Sequence, residues 1–143
     1  MTSNLSSELI DRLLREARSA AEFAYVPYSR FPVGACILTD TGEFVRGANI
    51  ENASYGLTTC AERVAVHTAA ARGVRTVVAV AVTAPRAAKA SPCGACRQVL
   101  NEFKPVNSDL VVVLDGVDGP TLTTIEELLP VAFGPRDLEY SRE

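Results

Sequence analysis

Four side chains in two short stretches have the types and the spacing of a metal centre with a base beside it. Cys60 and Glu62 are two residues apart, and Cys93 and Cys96 follow further along the chain as a Cys-x-x-Cys pair. Catalytic zinc sites keep one position open for water, whereas structural zinc sites usually close with four protein ligands. The three cysteines therefore predict a catalytic zinc site, and the carboxylate beside them could act as general base toward that water.

Both stretches resemble the first turn of a helix. Thr59 and Glu62 fit the capping-box pattern, which places Cys60 at the first helical position. In the second stretch Ser91 fits an N-cap and Pro92 fits the first helical position. Unpaired N–H groups and partial positive charge at helix N-termini favour a thiolate over a thiol. We expect the two helix starts to meet at one end of a sheet, which would bring the three cysteines together.

Apolar periodicity and turn signals predict the strands that must support these helices. Two unbroken apolar runs are typical of parallel strands covered on both faces, and a glycine turn joins an earlier pair in a hairpin. The predicted strands are residues 33–39, 44–48, 76–82, 110–114 and a short one near 120–123.

The remaining segments complete a single domain. An amphipathic helix runs from Leu9, and Thr124 with Glu127 predicts a capping box for a final short helix. Residues 84–90 are expected to form an ordinary surface loop. The order of elements predicts an α/β fold, a three-layer α/β/α sandwich with a mixed five-stranded sheet, as one domain over residues 1–143.

Composition restricts the classes of partner. Hydrophobic residues make up 48% of the chain and charged residues 22%, as in ordinary globular proteins. There is no apolar run of ~18 residues and no signal-peptide profile, so we expect a cytoplasmic protein without a membrane partner. The net charge of −3 argues against a nucleic-acid polymer and favours a small neutral substrate. The four cysteines could form two disulfides after export, but in the cytosol clustered cysteines more often bind metal or do redox chemistry.

Each candidate residue also has a simpler interpretation. Cys93 and Cys96 could be a thioredoxin-like redox pair, although such a pair needs neither Cys60 nor Glu62. Glu62 could serve only its capping box. Cys36 could be a fourth ligand that closes the site and leaves a non-catalytic four-cysteine zinc scaffold, although a mid-strand cysteine among apolar neighbours is commonly a small buried core residue.

The chain resembles the small, homotetrameric cytidine deaminases of the cytidine and deoxycytidylate deaminase superfamily. Cys-x-Glu followed downstream by Pro-Cys-x-x-Cys is the all-cysteine form of the zinc deaminase signature. The resemblance spans about residues 20–135. Its segments are FPVGA at 31–35, NIENASYG at 49–56, CAER at 60–63, PCGACRQ at 92–98 and LLPVAFG at 128–134.

The resemblance implies a hydrolase of pyrimidine salvage with one zinc ion per chain. The implied reaction converts cytidine and 2′-deoxycytidine to uridine and 2′-deoxyuridine with release of ammonia. Phe31 is expected to pack against the ring region of the nucleoside, Asn49 and Glu51 to bind the sugar, and the Ala61 N–H to bind the pyrimidine 2-oxo group. Deaminases of modified cytosine nucleosides, such as the blasticidin S deaminases, share the zinc motif and are an alternative.

The resemblance also implies roles around the metal and between subunits. Arg63 is expected to hydrogen-bond the ligand sulfurs and withdraw electron density from three thiolates, with a solvated helix arginine as its alternative. Arg97 is a second candidate for that role. Phe133 and Tyr55 are expected to contribute from a neighbouring subunit of the homotetramer, although Phe133 could instead pack on its own core.

Overall fold

One mixed sheet organises the protein, which the computed structural model describes over residues 5–139. The elements in chain order are α1 (Ser7–Ala21), β1 (Gly34–Thr39), β2 (Phe44–Ala48), a short 3-10 helix (Tyr55–Leu57), α2 (Ala61–Ala71), β3 (Val77–Thr83), α3 (Gly94–Glu102), β4 (Val111–Leu114), β5 (Thr121–Thr124), α4 (Ile125–Leu128) and α5 (Pro135–Glu139). The strand order is β2-β1-β3-β4-β5, so the predicted five-stranded sheet is confirmed.

The pairing is mixed because only the central pair, β3 and β4, is parallel. β1 pairs antiparallel with both β2 and β3, and β5 pairs antiparallel with β4. The crossover between the two parallel strands contains α3, as a parallel connection requires. Within residues 5–139, the helices lack the length and apolar character that a membrane span needs.

Helices cover both faces of the sheet, which confirms the three-layer sandwich. α1 packs on one face with Leu13 and Ala17, where alternate strand residues such as Cys36 meet it. α2 and α3 pack on the other face, where Ile37 and Val80 belong to the core. Successive strand residues point to opposite faces, so strands covered on both sides need apolar residues at every position. This requirement explains the unbroken apolar runs in β3 and β4.

Two glycines let the hairpin strands approach the helices on opposite faces. A Cβ atom at Gly34 would lie 2.1 Å from the carbonyl oxygen of Ala17 in α1. A Cβ atom at Gly47 would lie 2.3 Å from the carbonyl oxygen of Ala61 and 2.5 Å from the backbone nitrogen of Ala65, both in α2. Only glycine permits contacts this close, so β2 fixes the distance between the sheet and the first turn of α2.

The start of α2 differs from the prediction. Cys60 is the N-cap, its side chain makes no capping hydrogen bond, and Ala61 is the first helical residue. Thr59 instead exchanges two backbone hydrogen bonds with Ile50, at 2.9 and 3.0 Å. Because this bridge keeps the chain extended up to Cys60, the expected capping box of Thr59 and Glu62 is wrong.

The start of α3 is two residues later than predicted. Cys93 is the N-cap with an extended backbone, and Gly94 is the first helical residue. Ser91 and Pro92 therefore lie outside the helix, and the expected capping role of Ser91 is wrong. Hydrogen bonds from the Arg97 guanidinium to the Pro92 carbonyl and the Ser91 hydroxyl hold these two residues in the preceding segment.

Candidate metal centre and active site

Three cysteine sulfurs meet where α2 and α3 begin. Cys60, Cys93 and Cys96 have their Sγ atoms within 4.8 Å of one another, and the Sγ atoms of Cys60 and Cys93 are 3.8 Å apart. Cys60 precedes α2, while Cys93 and Cys96 lie on the first turn of α3. The predicted meeting of the three cysteines is therefore present in the structure.

Cys36 lies apart from this cluster. It is buried in β1 against α1, and its Sγ atom contacts the carbonyl oxygen of Ile37 at 3.6 Å. Burial raises the pKa of its thiol to about 12, so it stays protonated at neutral pH. These properties match a core cysteine and give no support to a site closed by four cysteines.

The donor set fits a zinc ion. A tetrahedral zinc ion with Zn–S distances of about 2.3 Å places its sulfur ligands roughly 3.8 Å apart, which is the separation of the Cys60 and Cys93 sulfurs. Three soft thiolates also suit zinc better than hard cations, which prefer oxygen ligands. The three residues would therefore supply three of four ligands of a tetrahedral site.

Arg63 lies against the cysteine cluster as predicted. Its Nη2 atom donates a hydrogen bond to Cys60 Sγ at 3.3 Å, and its buried Nε atom has no hydrogen-bond partner among the described groups. The thiol of Cys96, followed by Arg63, hydrogen-bonds the Cys60 thiolate and lowers the pKa of Cys60. The pKa of Cys96 is raised, because its proton is held in the hydrogen bond to Cys60 and because it is buried. Between these two coupled thiols, Cys60 carries the charge and Cys96 keeps the proton.

Glu62 is a buried carboxylate beside these sulfurs. Only 3% of its surface is exposed, and it lines a cavity together with Cys60 and Cys93. Burial raises the pKa of Glu62, and the nearby Cys60 thiolate raises it further. A carboxyl group whose pKa is moved toward neutrality can both accept and donate a proton at pH 7, which is the property of a general acid–base residue.

The cavity has a volume of about 260 Å³, and three of the residues predicted to bind substrate line it. They are Phe31, Asn49 and Ala61. Asn49 is buried and joins two backbone groups, since its Oδ1 atom accepts from the N–H of Val33 at 2.9 Å and its Nδ2 atom donates to the Phe31 carbonyl at 3.0 Å. Asn49 therefore holds the segment that carries Phe31 in the cavity wall.

Glu51 does not line this cavity. Its Oε1 atom accepts hydrogen bonds from the backbone N–H groups of Tyr28 and Ser29, both at 3.1 Å. Hydrogen bonding, first from the Ser29 side chain, lowers the pKa of Glu51 and keeps it ionised. The structure thus brings Asn49 to the cavity and ties Glu51 to the loop that precedes Phe31.

Residues 84–90 form a surface loop as predicted, but this loop is also one wall of the cavity. Ala84, Ala87, Lys89 and Ala90 all line it. The loop is fastened to the segment after β4 by hydrogen bonds, including one from the N–H of Val117 to the Ala88 carbonyl at 2.9 Å. Its position just before Cys93 was the one signal in the sequence that could have linked it to the site.

Tyr55 and Phe133 lie outside this cavity. Their surfaces are 74% and 61% exposed, so Phe133 does not pack into the core of its own chain. The ring of Tyr55 is 5.9 Å from that of Tyr28, centroid to centroid. The carbonyl oxygen of Phe133 accepts a hydrogen bond from Gln98 Nε2 at 2.9 Å, which fixes the backbone while the ring stays at the surface.

Known proteins resemble this chain in sequence and in structure. The family model described as "Cytidine and deoxycytidylate deaminase zinc-binding region" matches residues 7–113. A cytidine deaminase of Sporosarcina psychrophila is 47% identical over 135 residues, which cover 94% of this chain and 98% of that protein. One of Halalkalibacterium halodurans is 53% identical over 127 residues, covering 88% and 95%. A crystal structure of cytidine deaminase from Burkholderia pseudomallei superposes with a TM-score of 0.80 at 42% identity, covering 90% of this chain and all of that one.

Proposed function

The chain belongs to the cytidine and deoxycytidylate deaminase family, and we propose that it hydrolyses cytidine and 2′-deoxycytidine to uridine and 2′-deoxyuridine with release of ammonia. The observation that carries this proposal is a buried Glu62 with a raised pKa beside three clustered thiols in a cavity. Hydrolysis of an exocyclic amine needs an activated water and a group that can move protons; three thiols that would hold a metal support the first, and Glu62 supports the second.

One zinc ion per chain, held by Cys60, Cys93 and Cys96, is part of the proposal. Bound zinc would lower the pKa of water and so supply a nucleophile at neutral pH. Arg63 would offset the negative charge of three thiolates, and its hydrogen bond to Cys60 supports that role.

Glu62 would carry the protons of the reaction. It accepts a proton from the attacking water and delivers it to N3 of the cytosine ring, which makes C4 more electrophilic. After water adds to C4, Glu62 takes the second proton of that water and protonates the amino group, which leaves as ammonia. The raised pKa of Glu62 supports this sequence, because the same carboxyl group must take up and release a proton at each half.

The nucleoside would lie in the cavity described above. The N–H of Ala61 belongs to the first turn of α2, where it has no partner within the helix and could bind the 2-oxo group. Phe31 would pack beside the ring, and Asn49 with Glu51 would bind the sugar. The Glu51 carboxylate is accessible and ionised, which supports a hydrogen bond to a ribose hydroxyl. A modified nucleoside of the blasticidin S type is the alternative substrate.

A homotetramer in which Phe133 and Tyr55 complete a neighbour's cavity is also proposed. Large apolar side chains are exposed in the segments that the Tyr25–Ile50 bridge joins, and the rings of Tyr28 and Tyr55 lie 5.9 Å apart there, which supports burial against other subunits. The exposed members are Phe23, Tyr25, Tyr28, Ile50, Tyr55 and Leu57. We expect light scattering to give a mass near four times 15.2 kDa.

Mixed tetramers test whether the site is shared. Phe133→Ala subunits lack the ring and Glu62→Gln subunits lack the base, but a mixed tetramer can join an intact Glu62 on one chain to an intact Phe133 on another. We expect mixing to restore part of the activity. An active monomer, or verified mixed tetramers without recovered activity, would contradict the shared site.

We also place this reaction in cytoplasmic pyrimidine salvage. Three thiols this close together would be prone to disulfide formation in an oxidising compartment, which supports a reducing one.

The test of the proposed reaction is the loss of ultraviolet absorbance when cytidine is converted to uridine, with and without a zinc chelator. Turnover that survives complete metal removal, or cytidine left unchanged by the zinc-loaded protein, would contradict the proposal, and turnover of blasticidin S alone would favour the alternative.

A further inference from the structure

The guanidinium group of Arg97 joins two segments that are distant in sequence. Its Nε atom donates to the Pro92 carbonyl at 2.8 Å and its Nη2 atom to the Ser91 hydroxyl at 3.1 Å. Its Nη1 atom donates to the Leu128 carbonyl at 2.9 Å. None of these acceptors is a cysteine sulfur, so Arg97 differs from Arg63 in what it holds.

On one side, Arg97 fixes both peptide groups that flank Cys93. The side chain binds the carbonyl of Pro92, and the backbone N–H of Arg97 binds the carbonyl of Cys93 at 2.9 Å. Cys93 is the N-cap of α3 and has no side-chain capping bond of its own. The Arg97 guanidinium therefore restrains the peptide that precedes Cys93, while the bond to the Cys93 carbonyl is an ordinary helical one that does not depend on the side chain.

On the other side, the same helix holds both ends of the segment that carries Phe133. Leu128 ends α4, and its carbonyl oxygen is bound by Arg97. The carbonyl oxygen of Phe133 is bound by Gln98 at 2.9 Å. Between these points Val131 has a φ of +54°, a left-handed conformation that is unfavourable for a β-branched residue. Such a conformation persists only where surrounding contacts impose it.

Oxygen acceptors, and not a carboxylate, hold the Arg97 guanidinium. It lies at the end of the first turn of α3, where the partial positive charge of the helix N-terminus opposes a cation. Within residues 5–139 no carboxylate forms an ion pair with it at 4.0 Å or less. The three oxygen acceptors therefore account for the position of the Arg97 guanidinium.

We propose that Arg97 is a positioning residue that couples the metal site at Cys93 to residues 129–134, the segment that carries Phe133. Binding of a metal to Cys93 restrains the Pro92 and Cys93 peptides, and through the shared guanidinium it also restrains the end of α4. By thermodynamic reciprocity, ordering of residues 129–134 strengthens metal binding by the same factor. This inference rests on the proposed metal role of Cys93 and does not depend on which substrate is used.

The first arm of the test is amide hydrogen exchange of the wild-type protein with zinc and after chelation. We expect exchange at residues 129 and 131–134 to speed up when zinc is removed, although none of these residues is a proposed ligand. Identical exchange in the two states would overturn the proposal without any variant. Coupled exchange in a protein that leaves cytidine unchanged would contradict the proposed reaction and support the positioning role.

The second arm compares Arg97→Ala with Arg97→Lys and with Arg75→Ala. Arg75 is the matched control, because its guanidinium also binds two backbone carbonyls, those of Ala70 and Val74, but at the far end of α2. Loss of groups that orient a metal ligand typically costs 10–100-fold in metal affinity, so we expect Arg97→Ala to lose zinc to a chelator roughly 10–100-fold faster.

Arg97→Ala should also exchange rapidly at residues 129–134 whether or not zinc is bound. Arg97→Lys can keep one of the three contacts and should be intermediate in both measurements, while Arg75→Ala should match the wild type. Zinc release at the wild-type rate in Arg97→Ala, or zinc-dependent protection of residues 129–134 that survives in it, would refute the coupling.

Discussion

Replacing Gly47 by alanine should displace the first turn of α2 and thereby lower the activity of the site, although Gly47 itself lies in β2. The new Cβ atom would lie 2.3 Å from the Ala61 carbonyl oxygen, whereas ordinary contacts begin at 3.4 Å. It would also lie 2.5 Å from the backbone nitrogen of Ala65. Because these two atoms belong to the backbone of α2, the helix must move by about 1 Å relative to β2. Cys60 and Glu62 flank Ala61 and would move with it.

The expected size of the effect follows from this displacement. Overpacking of a tight core costs roughly 1–3 kcal/mol and occasionally more, and the lower entropy of the unfolded alanine chain offsets only about 0.4–1 kcal/mol. We expect a net loss of about 2 kcal/mol or more in the free energy of unfolding. A misplacement of ~1 Å in catalytic groups can cost ~10²-fold in rate, so kcat should fall by about two orders of magnitude.

The assay pairs this variant with Gly34→Ala. A Cβ atom at Gly34 would collide as severely, but with α1, which carries none of the proposed catalytic or ligand residues. Both variants should unfold earlier in a denaturant titration. At a temperature where circular dichroism shows both folded, Gly34→Ala should keep most of its kcat with cytidine and Gly47→Ala should not. Equal losses of kcat in the two variants would refute the argument that β2 positions the catalytic turn.

Three further predictions concern single side chains. Glu62→Gln should retain zinc and fold but lose turnover by at least ~10²–10⁴-fold, measured as cytidine conversion together with elemental analysis; wild-type turnover would refute the proton-transfer role. Hydrogen bonds from Arg18 and Thr83 lower the pKa of Asp115, so its stabilising effect is present above the unfolded pKa of about 3.9 and is lost as pH falls through the lower folded pKa. Thermal melts of Asp115→Asn should therefore show a weaker dependence on pH below about 4 than the wild type, and equal slopes would contradict this. Asn49→Ala and Glu51→Ala should each impair nucleoside use far more than use of free cytosine, and Asn49→Ala should also weaken use of the free base, because it releases the segment that carries Phe31; equal losses on nucleoside and free base in Glu51→Ala would refute the sugar assignment.

The capping boxes show how far local sequence reasoning reaches. The same Thr-x-x-Glu spacing is right at Thr124, whose side chain and that of Glu127 bond each other's backbone N–H groups. It is wrong at Thr59, where the backbone pairs with Ile50 instead. All partners of the Thr124 box lie within four residues, whereas the bridge between Thr59 and Ile50 joins separate segments of the chain. A pattern confined to a few residues cannot reveal a competing partner that only the tertiary fold supplies.

The same distinction separates the parts of the site that could be predicted from those that could not. The cysteine cluster and Glu62 were predictable because metal ligands require particular residue types at particular spacings. The alanines of residues 84–90 were not, because they line the cavity through the path of the backbone and have no chemistry of their own. Asn49 was expected to act on the sugar, but its two bonds to the Phe31 segment depend on a contact across 16 and 18 residues.

The electrostatics of Glu62 follow from its place in the fold more than from its charged neighbours. Burial is the largest cause of its raised pKa, and the Cys60 thiolate adds a smaller effect. Replacing Cys60 would remove this smaller effect and leave the burial. Zinc bound by three thiolates would carry a net charge near that of the single Cys60 thiolate, so the neighbouring charge would also change little. Burial of the first turn of α2 is thus the main cause of the raised pKa of Glu62, and Gly47 is the residue that lets this turn approach the sheet closely.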